Sequence, residues 1–168
     1  MRTLIIYSSK YGFTEECADY LKEGIKCEVA IKDIRLNKQI DLTGYDWIIM
    51  GSSVYVGKIS KKMKAFAERN IDKLLKRNIA LFVCCTTPND VDKYLSEGFS
   101  TKIYEASKYN ANFGGKLQRD KLNFFERKIT DMISKKEMKP QEILYKNMDS
   151  LIEFINLNEN GDDKKRDE

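Results

Sequence analysis

The sequence predicts a single α/β domain built on a parallel sheet, and three observations carry that prediction. Strand-like and helical patterns alternate along the chain. Several of the strand-like segments are continuous apolar runs, as expected of strands covered on both faces. The first of them, Leu4-Ile5-Ile6-Tyr7, passes straight into Ser8-Ser9-Lys10-Tyr11-Gly12-Phe13-Thr14, a loop of hydroxyls, one lysine and one glycine ahead of a helical segment. A helix beginning there turns its free amides and its positive dipole end into the loop, where they suit a phosphate.

The elements follow in order. Residues 3–8 are the first strand, and residues 14–24 read as a helix capped by the Thr14 hydroxyl, with Glu15 and Glu16 in its first turn and Gly24 at its stop. Residues 28–33 form the second strand, and the apolar run Trp47-Ile48-Ile49-Met50-Gly51 the third. A helix over 58–77 carries Met63, Phe66, Ile71, Leu74 and Leu75 on one side and a basic outer face. The fourth strand is 79–85, and Asn89 or Asp90 caps a helix reaching towards Lys108. A weaker fifth strand is expected over 111–117, with Gly114-Gly115 marking a bend or the close approach of another backbone. The last helix, 141–156, shows Ile143, Leu144, Met148, Leu151, Ile152 and Ile155 on one side.

Two segments stand outside this alternation. Residues 118–139 are too long for an ordinary connection and read as an inserted amphipathic helix with a basic face. Residues 158–168 form a polar, charged tail expected to be disordered, leaving one domain over 1–157.

Composition narrows the chemistry. The chain has 168 residues, 42% of them apolar, enough for a core without staples. No apolar run approaches the roughly 18 residues of a membrane span, and Arg2 is followed by a strand-like run without a small-residue cleavage site. The expected location is the cytoplasm. Histidine is absent, which removes Ser-His-Asp and Cys-His nucleophile systems and every histidine-ligated metal site. The four cysteines, Cys17, Cys27, Cys84 and Cys85, lack C-x-x-C spacing, so reduced core thiols are expected and no metal site. Any redox function must therefore use a cofactor. With 30 basic and 26 acidic side chains of mixed order, a net charge of +4 does not call for a nucleic-acid partner.

In a doubly wound sheet, ligands sit beyond the carboxyl ends of the strands, so three loops belong together: 9–14, 51–57 and 85–90. The first offers hydroxyls, amides and Lys10. The second, Gly51-Ser52-Ser53-Val54-Tyr55-Val56-Gly57, offers a tight path and a flat tyrosine face. The third, Cys85-Thr86-Thr87-Pro88-Asn89-Asp90, offers polar groups for the edge of a heterocycle.

Ser9-x-x-Gly12-x-Thr14 resembles the phosphate loop of flavodoxins, and residues 51–57 resemble the flavodoxin loop beside the isoalloxazine ring. The resemblance covers residues 1–155 and implies a flavodoxin-like five-stranded sheet of order 2-1-3-4-5 with helices on both faces. It implies FMN as cofactor, its phosphate on Ser9, Lys10, Tyr11, Gly12, Phe13 and Thr14. The ring would then lie between Ser53, Val54, Tyr55, Val56 and Gly57 on one side and Thr86, Thr87, Pro88 and Asn89 on the other. Tyr55 either stacks on the flavin or is a surface loop tyrosine, and Cys85 either touches the ring or lies in the core.

Lys10, Tyr11 and Phe13 depart from the threonines and asparagine common in electron-carrier flavodoxins. A basic residue after Ser9, the run 51–58 and the segment Gly115-Lys116-Leu117-Gln118-Arg119 are similar instead to the menaquinone-dependent protoporphyrinogen dehydrogenases. That branch implies electron transfer from a protoporphyrinogen-like substrate to a quinone, with Arg119, Lys121, Arg127 and Lys128 facing the substrate's carboxylates. The insertion 118–139 could equally be a solvated flap, a contact in a homo-oligomer, or a peripheral membrane contact. An FMN electron carrier between redox proteins is the alternative. Its pI of about 8.7 differs from the usual acidic shuttle. Receiver and phosphatase readings fail, because Ser8, Ser9, Gly51 and Ser52 stand where those need acids or a cysteine.

Overall fold

The computed structural model describes residues 1–37, 39–86, 90–116 and 142–163, the last five of these by backbone alone. Among them a five-stranded sheet has the order β2-β1-β3-β4-β5, every neighbouring pair parallel. The strands are β1 (Arg2–Ser8), β2 (Glu28–Asp33), β3 (Trp47–Ser53), β4 (Asn78–Cys84) and β5 (Ser107–Asn112). This is the order and the parallel architecture expected.

The helices lie on both faces because the inner strands are apolar on both. Leu4, Ile6, Ile48, Met50 and Leu81 point to one side, where α2 (Lys61–Arg69), α3 (Ile71–Leu74), α4 (Val91–Phe99) and α5 (Thr101–Ala106) cover them with Met63, Phe66, Leu74, Leu95, Phe99 and Ile103. Ile5, Tyr7, Ile49, Ala80 and Phe82 point to the other, beneath α1 (Phe13–Gly24) and α6 (Tyr145–Asp163). Successive residues of a strand face opposite ways, so one strand feeds both clusters. Gly51 makes room on this second side, since a Cβ there would lie 1.9 Å from Phe82 Cζ.

Several boundaries differ from expectation. The fifth strand is Ser107–Asn112, which starts before and only overlaps the 111–117 expected. It is an edge strand whose polar residues are tolerated because one side of it is only partly covered. Gly114 and Gly115 follow it, and they do admit another backbone. Gly114 has φ +80° and a Cβ there would lie 1.9 Å from Glu142 O, while Gly115 N–H donates to that same oxygen at 3.1 Å.

The helix expected over 58–77 is two pieces broken at Asn70, whose side-chain amide donates to Phe66 O at 2.9 Å and competes with the helical ladder. The helix expected from Asp90 towards Lys108 breaks at Ser100, which has φ +71°, and Ser107 and Lys108 belong to β5. The final helix starts at Tyr145 and runs to Asp163, past Asn158, the expected start of the polar tail. A helix already held by packing extends at small cost per residue. Residues 118–139 and 164–168, with the insertion and the tail end expected there, lie outside the described residues.

Candidate functional site

The register of the sheet brings the predicted loops together. Ser8 is opposite Ser52, and Ser53 is opposite Cys84, so β1, β3 and β4 end side by side. The loops after them therefore share one edge of the sheet, on either side of the reversal in strand order.

In the first loop Gly12, not Thr14, is the residue before the helix. Its φ of +103° is a conformation that suits glycine, and its carbonyl accepts the N–H groups of Glu15 and Glu16, both at 3.0 Å. Ser9 Oγ closes the loop by accepting Gly12 N–H at 3.0 Å. The Thr14 hydroxyl is thereby released from the capping role expected of it. Thr14 is 1% exposed, and its Oγ1 makes no hydrogen bond of ordinary geometry among the described residues, its only polar influence there being a weak one on the Cys84 thiol, whose pKa it lowers. A buried hydroxyl without a partner costs stability of about 1–3 kcal/mol, so its retention points to a ligand atom that satisfies it.

The second loop turns tightly. Tyr55 and Lys58 exchange backbone hydrogen bonds of 2.8 and 3.1 Å across Val56 and Gly57, whose φ angles are +48° and +71°. Two positive φ angles in a two-residue turn mark the hairpin geometry that favours Asn-Gly, and a β-branched valine is strained there. The turn sets Tyr55 beside the first loop: its ring centroid lies 6.4 Å from that of Tyr11, edge to face, and Lys10 Nζ stands 3.3 Å from its centroid.

The third loop is described as far as Thr86, and Thr87, Pro88 and Asn89 lie outside the described residues. Its start is fixed by a residue that the sequence reading passed over. Asn112, at the end of β5 and 8% exposed, accepts Cys85 N–H through Oδ1 at 3.2 Å and donates to Cys85 O through Nδ2 at 3.3 Å. The same Oδ1 accepts Gly114 N–H at 3.0 Å. A buried asparagine closing an edge strand was the available signal, since such an amide must find partners.

These pieces enclose a cleft of about 120 Å³ lined by Ser9, Tyr11, Phe13, Thr14, Ser53, Val54, Tyr55, Cys84, Cys85, Thr86, Gly115 and Lys116. Eight of the predicted cofactor residues thus meet at one place, and Gly12 shapes it from behind. Lys10, Val56 and Gly57 line a neighbouring cavity of about 820 Å³ instead. Gly115 closes the cleft against the third loop, where a Cβ would lie 2.5 Å from Thr86 Cγ2. Arg119, Lys121, Arg127 and Lys128, predicted to face a substrate, lie outside the described residues.

The electrostatics favour binding and not side-chain catalysis. Cys84 reaches the cleft, but burial and the neighbouring Cys17 thiol, 3.9 Å away, hold its pKa well above the usual thiol value, which keeps it protonated. Tyr7, beneath the loop, is likewise pushed up by burial and by its hydrogen bond of 2.9 Å to Glu15. Lys116, in the wall of the cleft, reaches across to Glu16 at 3.7 Å, and Lys10 stands beside Tyr55 in the neighbouring cavity. No cluster of metal-ligating side chains occurs among the described residues.

A family model described as a flavodoxin domain matches residues 4–143. No curated protein matches the chain. Among solved structures, the chain is similar to a flavoprotein in complex with FMN from Lactobacillus acidophilus, with TM-score 0.50 and 21% identity over 66% of this chain and 92% of that one. A WrbA-like flavodoxin from Agrobacterium tumefaciens gives TM-score 0.51 and 14% identity over 81% and 99%. A flavodoxin from Streptococcus pneumonia TIGR4 gives 0.52 and 15% over 80% and 99%. At these identities the likeness to the solved structures is one of fold.

Proposed function

Because the chain belongs to the flavodoxin domain family, we propose that it binds FMN in the cleft between its first three sheet-edge loops and works as a flavin-dependent oxidoreductase. The observation that carries this reading is the Thr14 hydroxyl, buried in the first turn of α1 without a well-formed hydrogen bond among the described residues. A phosphate oxygen at that helix terminus would accept it, with Ser9, Gly12 and Phe13 around the same group. Tyr55 would lie against the ring, and the Cys85–Thr86 backbone, braced by Asn112, would face its polar edge. Bound FMN would supply the electron-transfer chemistry that the chain's own side chains lack.

What these residues contribute is position. Gly12 and Ser9 set the loop, Asn112 sets the opposing wall, and the protonated Cys84 adds no charge at the cleft floor. Lys10 and Lys116 balance the negative charge of the phosphate.

For the reaction we propose electron transfer from a protoporphyrinogen-like substrate to a quinone, on the basis of Lys10 after Ser9 and the net charge of +4. Purified, FMN-loaded protein should oxidise protoporphyrinogen with a menaquinone analogue as acceptor. Absence of turnover, with FMN bound, would remove that substrate and leave the second reading. That reading is an electron carrier, favoured by the five basic side chains lining the neighbouring cavity, which suit an acidic redox partner. Reduction by a reductase without turnover of any organic substrate would establish it.

A further inference from the structure

Tyr55 is a partition. One side of it belongs to the FMN cleft, and the other lines the cavity of about 820 Å³ between the second loop and the helices α2 and α4. That volume lies in the range of small-molecule sites. The cavity wall carries Lys10, Arg35, Lys58, Lys61 and Lys64, with Glu97 as its one carboxylate among the described residues.

Three of these cations, Lys58, Lys61 and Lys64, carry no ion pair among the described residues. Arg35 is held by Asp33, with Nε to Oδ2 at 3.0 Å. Lys64 Nζ donates to the Glu97 carbonyl oxygen at 2.9 Å, which leaves its charge unneutralised.

A second observation concerns α2 itself. Its first turn holds Lys61, Lys62 and Lys64, and no acid. Ser60, before it, makes no side-chain cap, and its N–H is taken by Ser52 Oγ at 3.1 Å. Lysines at the positive end of a helix are repelled by the dipole, the reverse of the favoured pattern. A local rule broken at the mouth of a cavity is characteristic of a binding site, and an anion there turns the repulsion into attraction.

We propose that this cavity binds a flat aromatic dianion. Its acidic groups sit on Lys58, Lys61 and Lys64, and its body lies against Tyr55 and Ile59. The rings of Tyr55 and Tyr94 and the side chain of Ile59 give the apolar surface that a simple inorganic anion would not use. That such a ligand exchanges electrons with the flavin rests on the function proposed above; that the cavity takes a dianion does not.

The test uses anthraquinone disulfonate as the probe, titrated calorimetrically into the full chain with and without FMN. Uncharged naphthoquinone is the comparison. The disulfonate should bind, the naphthoquinone should bind at least roughly tenfold more weakly, and added salt should narrow the gap. The double variant Lys61→Glu/Lys64→Glu should weaken the disulfonate by roughly tenfold or more while its FMN titration stays as in the parent, which also shows that it is folded. Equal affinity for the charged and uncharged compounds, or indifference to the charge reversal, would overturn the proposal. Mutual displacement of the disulfonate and FMN would overturn it too, because the cavity would then be part of the flavin's own site. Disulfonate binding by a protein that takes up no FMN would uphold this site and refute the flavin reading.

Discussion

Asn112 holds the backbone of Cys85 from both sides: its Oδ1 accepts the Cys85 N–H at 3.2 Å and its Nδ2 donates to the Cys85 carbonyl at 3.3 Å. An edge strand with few buried side chains thus fixes the start of the loop that opposes Tyr55 across the cleft. Replacing Asn112 by Ala leaves the N–H groups of Cys85 and Gly114 without their acceptor in a buried place. We expect a loss of about 2–3 kcal/mol in urea unfolding together with weaker FMN binding. Unchanged stability would mean that the loop is held by other groups.

Thr14→Val separates the cost of the site from its use. The substitution keeps the shape and removes a hydroxyl that is buried without a well-formed hydrogen bond among the described residues. The protein without FMN should gain about 1 kcal/mol, whereas FMN affinity should fall by roughly tenfold. Urea unfolding of the cofactor-free protein and quenching of flavin fluorescence read the two effects separately. Loss of stability without any change in affinity would make Thr14 an ordinary packing residue.

Val56 is strained in its turn, with φ +48° next to Gly57 at +71°. Val56→Asn gives the dipeptide that this turn geometry favours, and it should raise stability by about 1 kcal/mol. Since Val56 is 56% exposed, little packing is lost in exchange. A lower melting temperature would show that the valine side chain is held by a contact more valuable than the strain it costs.

Alkaline pH should destabilise the fold. Burial and its neighbour Cys17 raise the pKa of Cys84, and burial and Glu15 raise that of Tyr7. Both groups bind their proton more tightly folded than unfolded. Their contribution is therefore complete below the ordinary thiol and phenol values, about 8.5 and about 10, and is lost as pH rises through those values towards the folded ones. The urea midpoint should decline above about pH 8.5, and Tyr7→Phe should flatten the part of the decline above about pH 10. An identical alkaline profile in the variant would remove Tyr7 from this account.

The parts of the molecule legible in the sequence were those with one dominant signal. Leu4-Ile5-Ile6 and Trp47-Ile48-Ile49-Met50 are apolar on both faces, and only central parallel strands use such runs. The glycine at position 12 and the hydroxyls around it marked the first loop, and eight predicted residues do meet in one cleft. What escaped was decided by competition between local and distant groups. Thr14 was a plausible cap until Gly12, at φ +103°, took the place before the helix. β5 was misplaced because an edge strand has no apolar run to announce it. Asn112 and the cation-lined cavity depend on residues far apart in sequence, such as Arg35, Lys61 and Glu97, and no periodicity joins them.

The most direct test of the central claim is a titration of the purified, FMN-stripped protein with FMN, followed by flavin fluorescence and visible absorption. The account predicts saturable binding at one FMN per chain, quenching by the tyrosine beside the ring, and a weaker curve for Thr14→Val. A folded protein that leaves the flavin spectrum and fluorescence unchanged would contradict it, and the Ser9-to-Thr14 loop would then be no more than the turn that starts a helix.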